Sequence, residues 1–179
     1  MRFFFICLIY FVCAIQVVAQ TVYYKNDKTF IRHGYTYQCD VHEGSQMVTL
    51  YNQSNQYTYV DQIVKSTGKL TPMEWMPATF ADDNWTKPKC YEIVNSILSD
   101  AEKQRVKGWG VSIGIYVYST TGQIQEVDYQ FVTFSPWATI PLAKYRRIEK
   151  RLKDEVWFTP TEYGKGLNYI FLNFRYEIE

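Results

Sequence analysis

Between Val111 and Phe134 the sequence adopts a period of two and keeps it across a turn. Val111, Ile113, Ile115 and Val117 alternate with Ser112, Gly114, Tyr116 and Tyr118. After "STTGQ" the alternation resumes through Val127, Tyr129 and Phe131 over residues 126–134. Alternation of this kind gathers apolar side chains on one face of a strand. Gly122 can take the positive φ that a tight connection needs. Two strands joined so closely pair antiparallel, so this stretch predicts a hairpin with one apolar face. That face must be covered by another layer.

The flanking segments have the period to cover it. Cys90, Ile93, Val94, Ile97, Leu98 and Ala101 fall at helical spacing, which predicts a helix over 89–105 that stops before Gly108. Behind Pro141, residues Leu142, Tyr145, Ile148, Leu152 and Val156 recur every three to four positions, which predicts a second helix over 140–156. That helix carries six basic and three acidic residues. Lys144, Arg147, Arg151 and Lys153 lie off the apolar stripe, so their charge reads as the solvated back of a packing helix. Glu149 and Lys153 form a stabilising i,i+4 pair. In "LNYIFLNFRYEI" the residues Ile170, Leu172, Phe174, Tyr176 and Ile178 share one face of a last strand. The half from 89 to 179 thus reads α-β-β-α-β, and the class is α+β: an antiparallel sheet covered by two helices.

Residues 20–88 differ in composition. "YTYQCDV" (35–41), "QMVTLYN" (46–52) and "QYTYVDQIV" (56–64) read as the strands of a small β-meander, separated by the turn-like "HEGS" and "QSN". Residues 66–88 hold three of the chain's six prolines and read as a connecting loop. The expected organisation is a β-rich segment with its loop (20–88) joined to the α+β half (89–179) in one compact unit.

The first 19 residues stand apart. Arg2 precedes an apolar run from Phe3 to Cys13, and Val17 and Ala19 sit at −3 and −1 of a cleavage site before Gln20. This is the pattern of a secretory signal peptide cleaved after Ala19. The run is shorter than the roughly 20 apolar residues that span a bilayer, so no membrane span is expected after cleavage. The destination is periplasmic or extracellular. The remaining 160 residues carry 18 basic and 18 acidic side chains, a balance that argues against nucleic-acid binding. Cys7 and Cys13 leave with the signal. Cys39 and Cys90 remain, and an oxidising compartment makes a Cys39–Cys90 disulfide the simple expectation.

"GVSIGIYVYSTTGQIQEVDY", the helix after it and "VWFTPTEYGKGLNYI" resemble the C-terminal domain of TonB-like proteins. Gly122 matches the hairpin glycine; Trp157, Phe158, Pro160, Gly164 and Gly166 match the segment before the last strand. The resemblance implies a TonB C-terminal-like sheet whose last strand can recruit partners by strand pairing. The N-terminal strands of the same chain are expected to cover that edge. With a cleavable leader and six prolines scattered singly, the chain is not expected to have the membrane anchor and Pro-rich spacer of TonB energy transducers. As a whole it also resembles small exported proteins of unknown function from Bacteroides-type bacteria.

No residue pattern points to a reaction. The Walker phosphate loop and G-x-G-x-x-G are absent from the sequence, and its one G-x-S-x-G match, Gly110 to Gly114, lies inside the alternating strand run rather than at the strand-to-helix turn of a nucleophile elbow. His33, Cys39, Asp40 and His42 carry metal-binding atoms, but neighbouring strand residues point to opposite faces. Asp82 and Asp83 could serve a hydrolase as paired carboxylates, although adjacent loop acids are commonly turn residues. The reading assigns no catalytic residue, cofactor or metal. Sixteen Tyr and five Trp provide rigid contact area for an envelope protein or a glycan. Tyr23, Tyr24, Tyr57, Tyr59, Trp75 and Trp85 are the surface candidates. The expected function is a non-catalytic exported binding or accessory domain at the bacterial cell envelope. A secreted hydrolase or a structural subunit of an envelope assembly is the alternative, and the oligomeric state is left open.

Overall fold

The computed structural model describes residues 21–72, 79–81 and 83–178. The signal-peptide reading, Trp75 and Asp82 therefore lie outside the described residues. The hairpin forms as β4 (Val111–Val117) and β5 (Ile124–Val132), with Ser112 opposite Gln130 and Gly114 opposite Asp128. Gly122 closes it with φ 75°, and its N–H donates to the Tyr118 carbonyl at 2.9 Å. A side chain at this position would meet the Phe158 carbonyl at 1.7 Å. Glycine is thus required both for the backbone angle and for the close approach of the next segment.

The meander builds onto β5. β1 (Lys28–Arg32), β2 (Tyr35–His42) and β3 (Met47–Asn52) are antiparallel neighbours, and β3 pairs β5 through Val48–Phe131 and Leu50–Tyr129. β6 (Ile170–Tyr176) pairs the other side of β4. Among the described residues this makes one six-stranded antiparallel sheet in the order β1-β2-β3-β5-β4-β6, and the α+β class holds. Two strand expectations change. β1 was not expected from sequence; only Phe30 of its five residues is buried, so its sequence has almost no alternation to detect. Residues 56–64 do not form a strand. A side chain takes the amides at the start of this segment, Glu126 accepting from the N–H of Gln56 at 2.7 Å and of Tyr57 at 2.8 Å, and Ile63 and Val64 make only isolated bridges to Leu70 and Leu167.

Helices cover one face. The single helix expected over 89–105 is two: α1 (Thr86–Ile97) and α2 (Asp100–Val106). Leu98 turns to extended backbone, and Ser99 caps α2 in a reciprocal capping box with Glu102. α3 (Leu142–Glu155) buries Tyr145, Ile148 and Leu152 against β5 and α1. Lys144 ties these pieces together, donating to the Ile97 carbonyl at 2.6 Å and pairing Glu102 at 3.1 Å. Tyr24, Tyr129, Phe131 and Tyr145 form an aromatic cluster at the centre of the core, with Phe131 and Tyr145 stacked at 5.7 Å.

The charged helix is not wholly wet. Glu149 is fully buried, where it accepts from the Tyr37 hydroxyl and pairs Arg146 at 3.0 Å and Lys153 at 3.1 Å. The Glu149–Lys153 pair forms, but it closes over a buried carboxylate. α4 (Glu162–Lys165) is one short turn before β6.

The Cys39–Cys90 disulfide is not formed; both cysteines are free and buried. Cys39 sits on β2, whereas Cys90 on α1 lies beside Ile115 of β4 and Leu172 of β6. β2 and β4 are three strand spacings apart at about 4.8 Å each, beyond the roughly 7 Å that a disulfide can bridge between Cα atoms. Burial pushes both thiols up to about 12, so neither is a reactive thiolate at neutral pH. The N-terminal strands do not cover β6 either. They extend the sheet beyond β5, and β6 remains an edge. No helix among the described residues is long and apolar enough to cross a membrane.

Candidate functional site

Alternation places Val127, Tyr129 and Phe131 under the helices, so Glu126, Asp128 and Gln130 face the other way. The register sets Gln38 beside Tyr51 and Tyr51 beside Asp128 on that outer face. A second layer there consists of a loop following β3. Glu126 holds its Gln56 and Tyr57 amides, and Asn55 Nδ2 donates to the Val127 carbonyl at 3.1 Å. Tyr169 donates its hydroxyl to the Val60 carbonyl. Between this loop and β2 and β3 lies a pocket of about 360 Å³, bounded by Gln38, Asp40, Tyr51, Gln53, Gln56 and Tyr59 among others.

Asp40 organises the pocket. Its Oδ1 accepts from Gln38 Nε2 at 2.8 Å, and its Oδ2 accepts from the hydroxyls of Tyr59 at 2.7 Å and Tyr51 at 2.9 Å. Burial raises its proton affinity, but the hydrogen bonds from Gln38, Tyr59 and Tyr51 outweigh it and hold the carboxyl below its usual range. Burial and the same Asp40 contact push the Tyr51 hydroxyl up to about 12 and Tyr59 higher. All three groups therefore keep fixed roles at neutral pH: a carboxylate acceptor and two phenol donors. The rings of Tyr51 and Tyr59 meet edge to face at 5.7 Å. Tyr59 is 60% exposed as a residue although its hydroxyl is tied down.

Asp128 lies deeper. It is fully buried, its Oδ2 accepts from the Tyr116 hydroxyl at 2.7 Å, and its Oδ1 has no hydrogen-bond partner. It sits over Gly114, where a Cβ would stand 2.5 Å from Oδ1. Burial pushes its carboxyl above the usual range, and the Tyr116 bond only partly offsets this.

Comparison with known proteins places this fold in a family. The family described as "Domain of unknown function (DUF5043)" matches residues 20–174. The chain belongs to the DUF5043 family. The crystal structure of a DUF5043 family protein from Bacteroides uniformis ATCC 8492 is similar to it at 39% identity and TM-score 0.85, covering 89% of this chain and 89% of that one. No match was found among curated proteins. The likeness to TonB C-terminal domains rests on element order and short motifs alone.

In this DUF5043 chain the sequence-predicted contact residues are scattered. Tyr59 lines the pocket, and Tyr57 packs beside it on Tyr169 at 4.5 Å. Tyr23 is exposed on the helix-covered side, where its N–H donates to the Ala138 carbonyl. Tyr24 is a correction: it is fully buried, with its hydroxyl on the Ile140 carbonyl at 3.1 Å, and offers no surface. Trp85 is exposed and packs against Trp157 with the rings tilted and their centroids 4.7 Å apart. Asp83 is committed to the fold: its two carboxylate oxygens accept from the N–H and hydroxyl of Thr159 at 2.7 and 3.1 Å. His33 and His42 are exposed at strand ends. Among the described residues no three His, Cys, Asp or Glu side chains converge to hold a metal ion.

Sequence reasoning passed over Gln38, Tyr51 and Gln53 and weighed Asp40 only as a metal ligand. The available signal was the outward register of "YTYQCDV" against "QMVTLYN", which places Gln38, Asp40 and Tyr51 on one face once the strands pair.

Proposed function

We propose that this DUF5043 protein is an exported, non-catalytic binding domain of the bacterial cell envelope, with its ligand seat in the pocket between the 53–60 loop and the outer sheet face. One observation carries this reading: Asp40 fixes Gln38, Tyr51 and Tyr59 by three hydrogen bonds while Tyr59 stays exposed. Side chains locked before the ligand arrives lose little entropy when it binds. Export is supported by the leader ahead of Gln20. The carboxylate suggested for hydrolysis, Asp83, is supported better as the clamp between Thr159 and the loop before α1.

Strand addition along β6 is the weaker reading. Gly108 N–H donates to the Ile178 carbonyl, so even-numbered β6 residues turn their backbone inward and Phe171, Asn173 and Arg175 turn theirs outward. Two of those three already have side-chain partners: Phe171 N–H donates to Gln62 at 2.7 Å, and the Arg175 carbonyl accepts from Tyr91 at 3.2 Å.

The test uses the chain from Gln20 to Glu179, titrated with envelope polysaccharide and envelope protein fractions. Saturable binding that Tyr59→Ala weakens at least about tenfold supports the reading. Binding unchanged by Tyr59→Ala and Asp40→Ala refutes the proposed seat. Fractionation with N-terminal sequencing should find Gln20 first in the periplasm or medium.

A further inference from the structure

The chemistry of the pocket wall limits what can occupy it. No Lys or Arg lines it, so an anionic ligand meets no counter-charge and faces the Asp40 carboxylate. That carboxylate is compensated by three neutral donors. Apart from Val60, the tyrosine rings and the Asp40 carboxylate the lining is amide and hydroxyl, unlike the predominantly apolar walls that hold lipids and most cofactors. Among the described residues the side-chain amides of Gln53 and Gln56 have no hydrogen-bond partner in the protein. Each offers two donors and an acceptor at the mouth. Tyr59 adds a ring held at the rim by its own hydroxyl.

We infer that the ligand is an uncharged carbohydrate, packed against Tyr59 and hydrogen-bonded by Gln53, Gln56 and the Asp40 carboxylate. Sugar hydroxyls both donate and accept, as the wall does. The C–H face of a pyranose packs on an aromatic ring without needing charge. The pocket is a short groove of about 360 Å³, suited to a segment of a chain whose ends continue into solvent. This inference rests on the binding-domain reading and names the ligand for the same site.

The test is a side-chain amide NMR titration of the isotope-labelled Gln20–Glu179 chain. The probes are neutral hexasaccharides (gluco-, manno-, xylo- and galacto-), an oligogalacturonate and a Lys-rich peptide. The expected result is that at least one neutral hexasaccharide shifts the Gln53 and Gln56 amides. Tyr59→Ala should weaken it at least about tenfold and Asp40→Asn about fivefold, while Tyr59→Trp restores it. Tyr118→Ala, at an exposed tyrosine outside the pocket, should leave it unchanged, and equal unfolding midpoints confirm intact folds. Preferential binding of the anionic oligogalacturonate at these amides overturns the uncharged assignment, and preferential binding of the peptide overturns the carbohydrate assignment itself, while the binding domain stands in both cases. Amides silent to every neutral probe overturn it too. Silence toward the envelope fractions as well would remove both readings.

Discussion

Asp128 is a buried carboxylate with one oxygen unpartnered, and such a group costs stability whenever it is charged. Its proton affinity is raised in the folded protein, burial being the main cause. The folded state therefore holds a proton that the unfolded chain has lost, and stability falls as pH rises from the ordinary carboxyl range through the raised value. Asp128→Asn should stabilise the protein by about 1–2 kcal/mol at pH 7.5, with the gain shrinking toward pH 4.5; urea unfolding at both values checks this. Asp40 has the opposite sign. Its folded-state proton affinity is lowered, so its contribution is present above the ordinary carboxyl range and is lost as pH falls below it. Glu149 differs again, because its charge is matched by Arg146, Lys153 and the Tyr37 hydroxyl. Glu149→Ala should destabilise by about 3 kcal/mol, against less than about 0.5 kcal/mol for the exposed Lys150→Ala, both read as shifts of the unfolding midpoint. The helical period located Glu149 on α3, but an acidic residue in a charged helix carries no mark of burial. Its partner Tyr37 is 112 residues away in sequence.

Elements with a strong internal period were the most legible. α3 and the β4–β5 hairpin stand close to their expected ends, because an apolar stripe and a glycine turn are local properties. Gly122→Ala should cost at least about 2 kcal/mol, from positive φ and the clash with the Phe158 carbonyl; thermal unfolding measures it. The break between α1 and α2 was also local. Ser99 and Glu102 spell a capping box inside an apolar run that continues helical spacing across it. The 56–64 segment failed for a non-local reason. Its alternation suits a strand, but Glu126 takes two of its amides in place of a neighbouring strand. Glu126→Gln should loosen this loop first, seen as faster hydrogen exchange at the Gln56 and Tyr57 amides with core protection unchanged.

At the scale of the molecule, placement in the sheet decides the chemistry. With β2 and β4 held apart by β3 and β5, Cys39 and Cys90 belong to different regions of the core. The Gln20–Glu179 chain should carry two thiols, unreactive until unfolding. Denaturation without reductant followed by alkylation should add two groups to the intact mass, and no addition would show that the bond had formed. The same strand order leaves β1 and β6 as edges. β1 presents Lys28 and Arg32, and β6 presents Arg175 and partly capped backbone, devices that discourage edge-to-edge association.

The α+β class, both helical stripes of the second half and the antiparallel hairpin with its required glycine were readable before any fold was known. These follow from periods of 3.6 and 2 and from one residue's backbone freedom, which act within a few positions. The packed fold was needed to learn that β3 docks on β5, that Tyr24 is core rather than surface, and that the two cysteines stay apart. It also decided that Gln38, Asp40, Tyr51 and Tyr59 meet in one pocket. Each of these depends on strand order and on pairings between distant residues. Local alternation states which face a side chain takes, but not which neighbour it meets there.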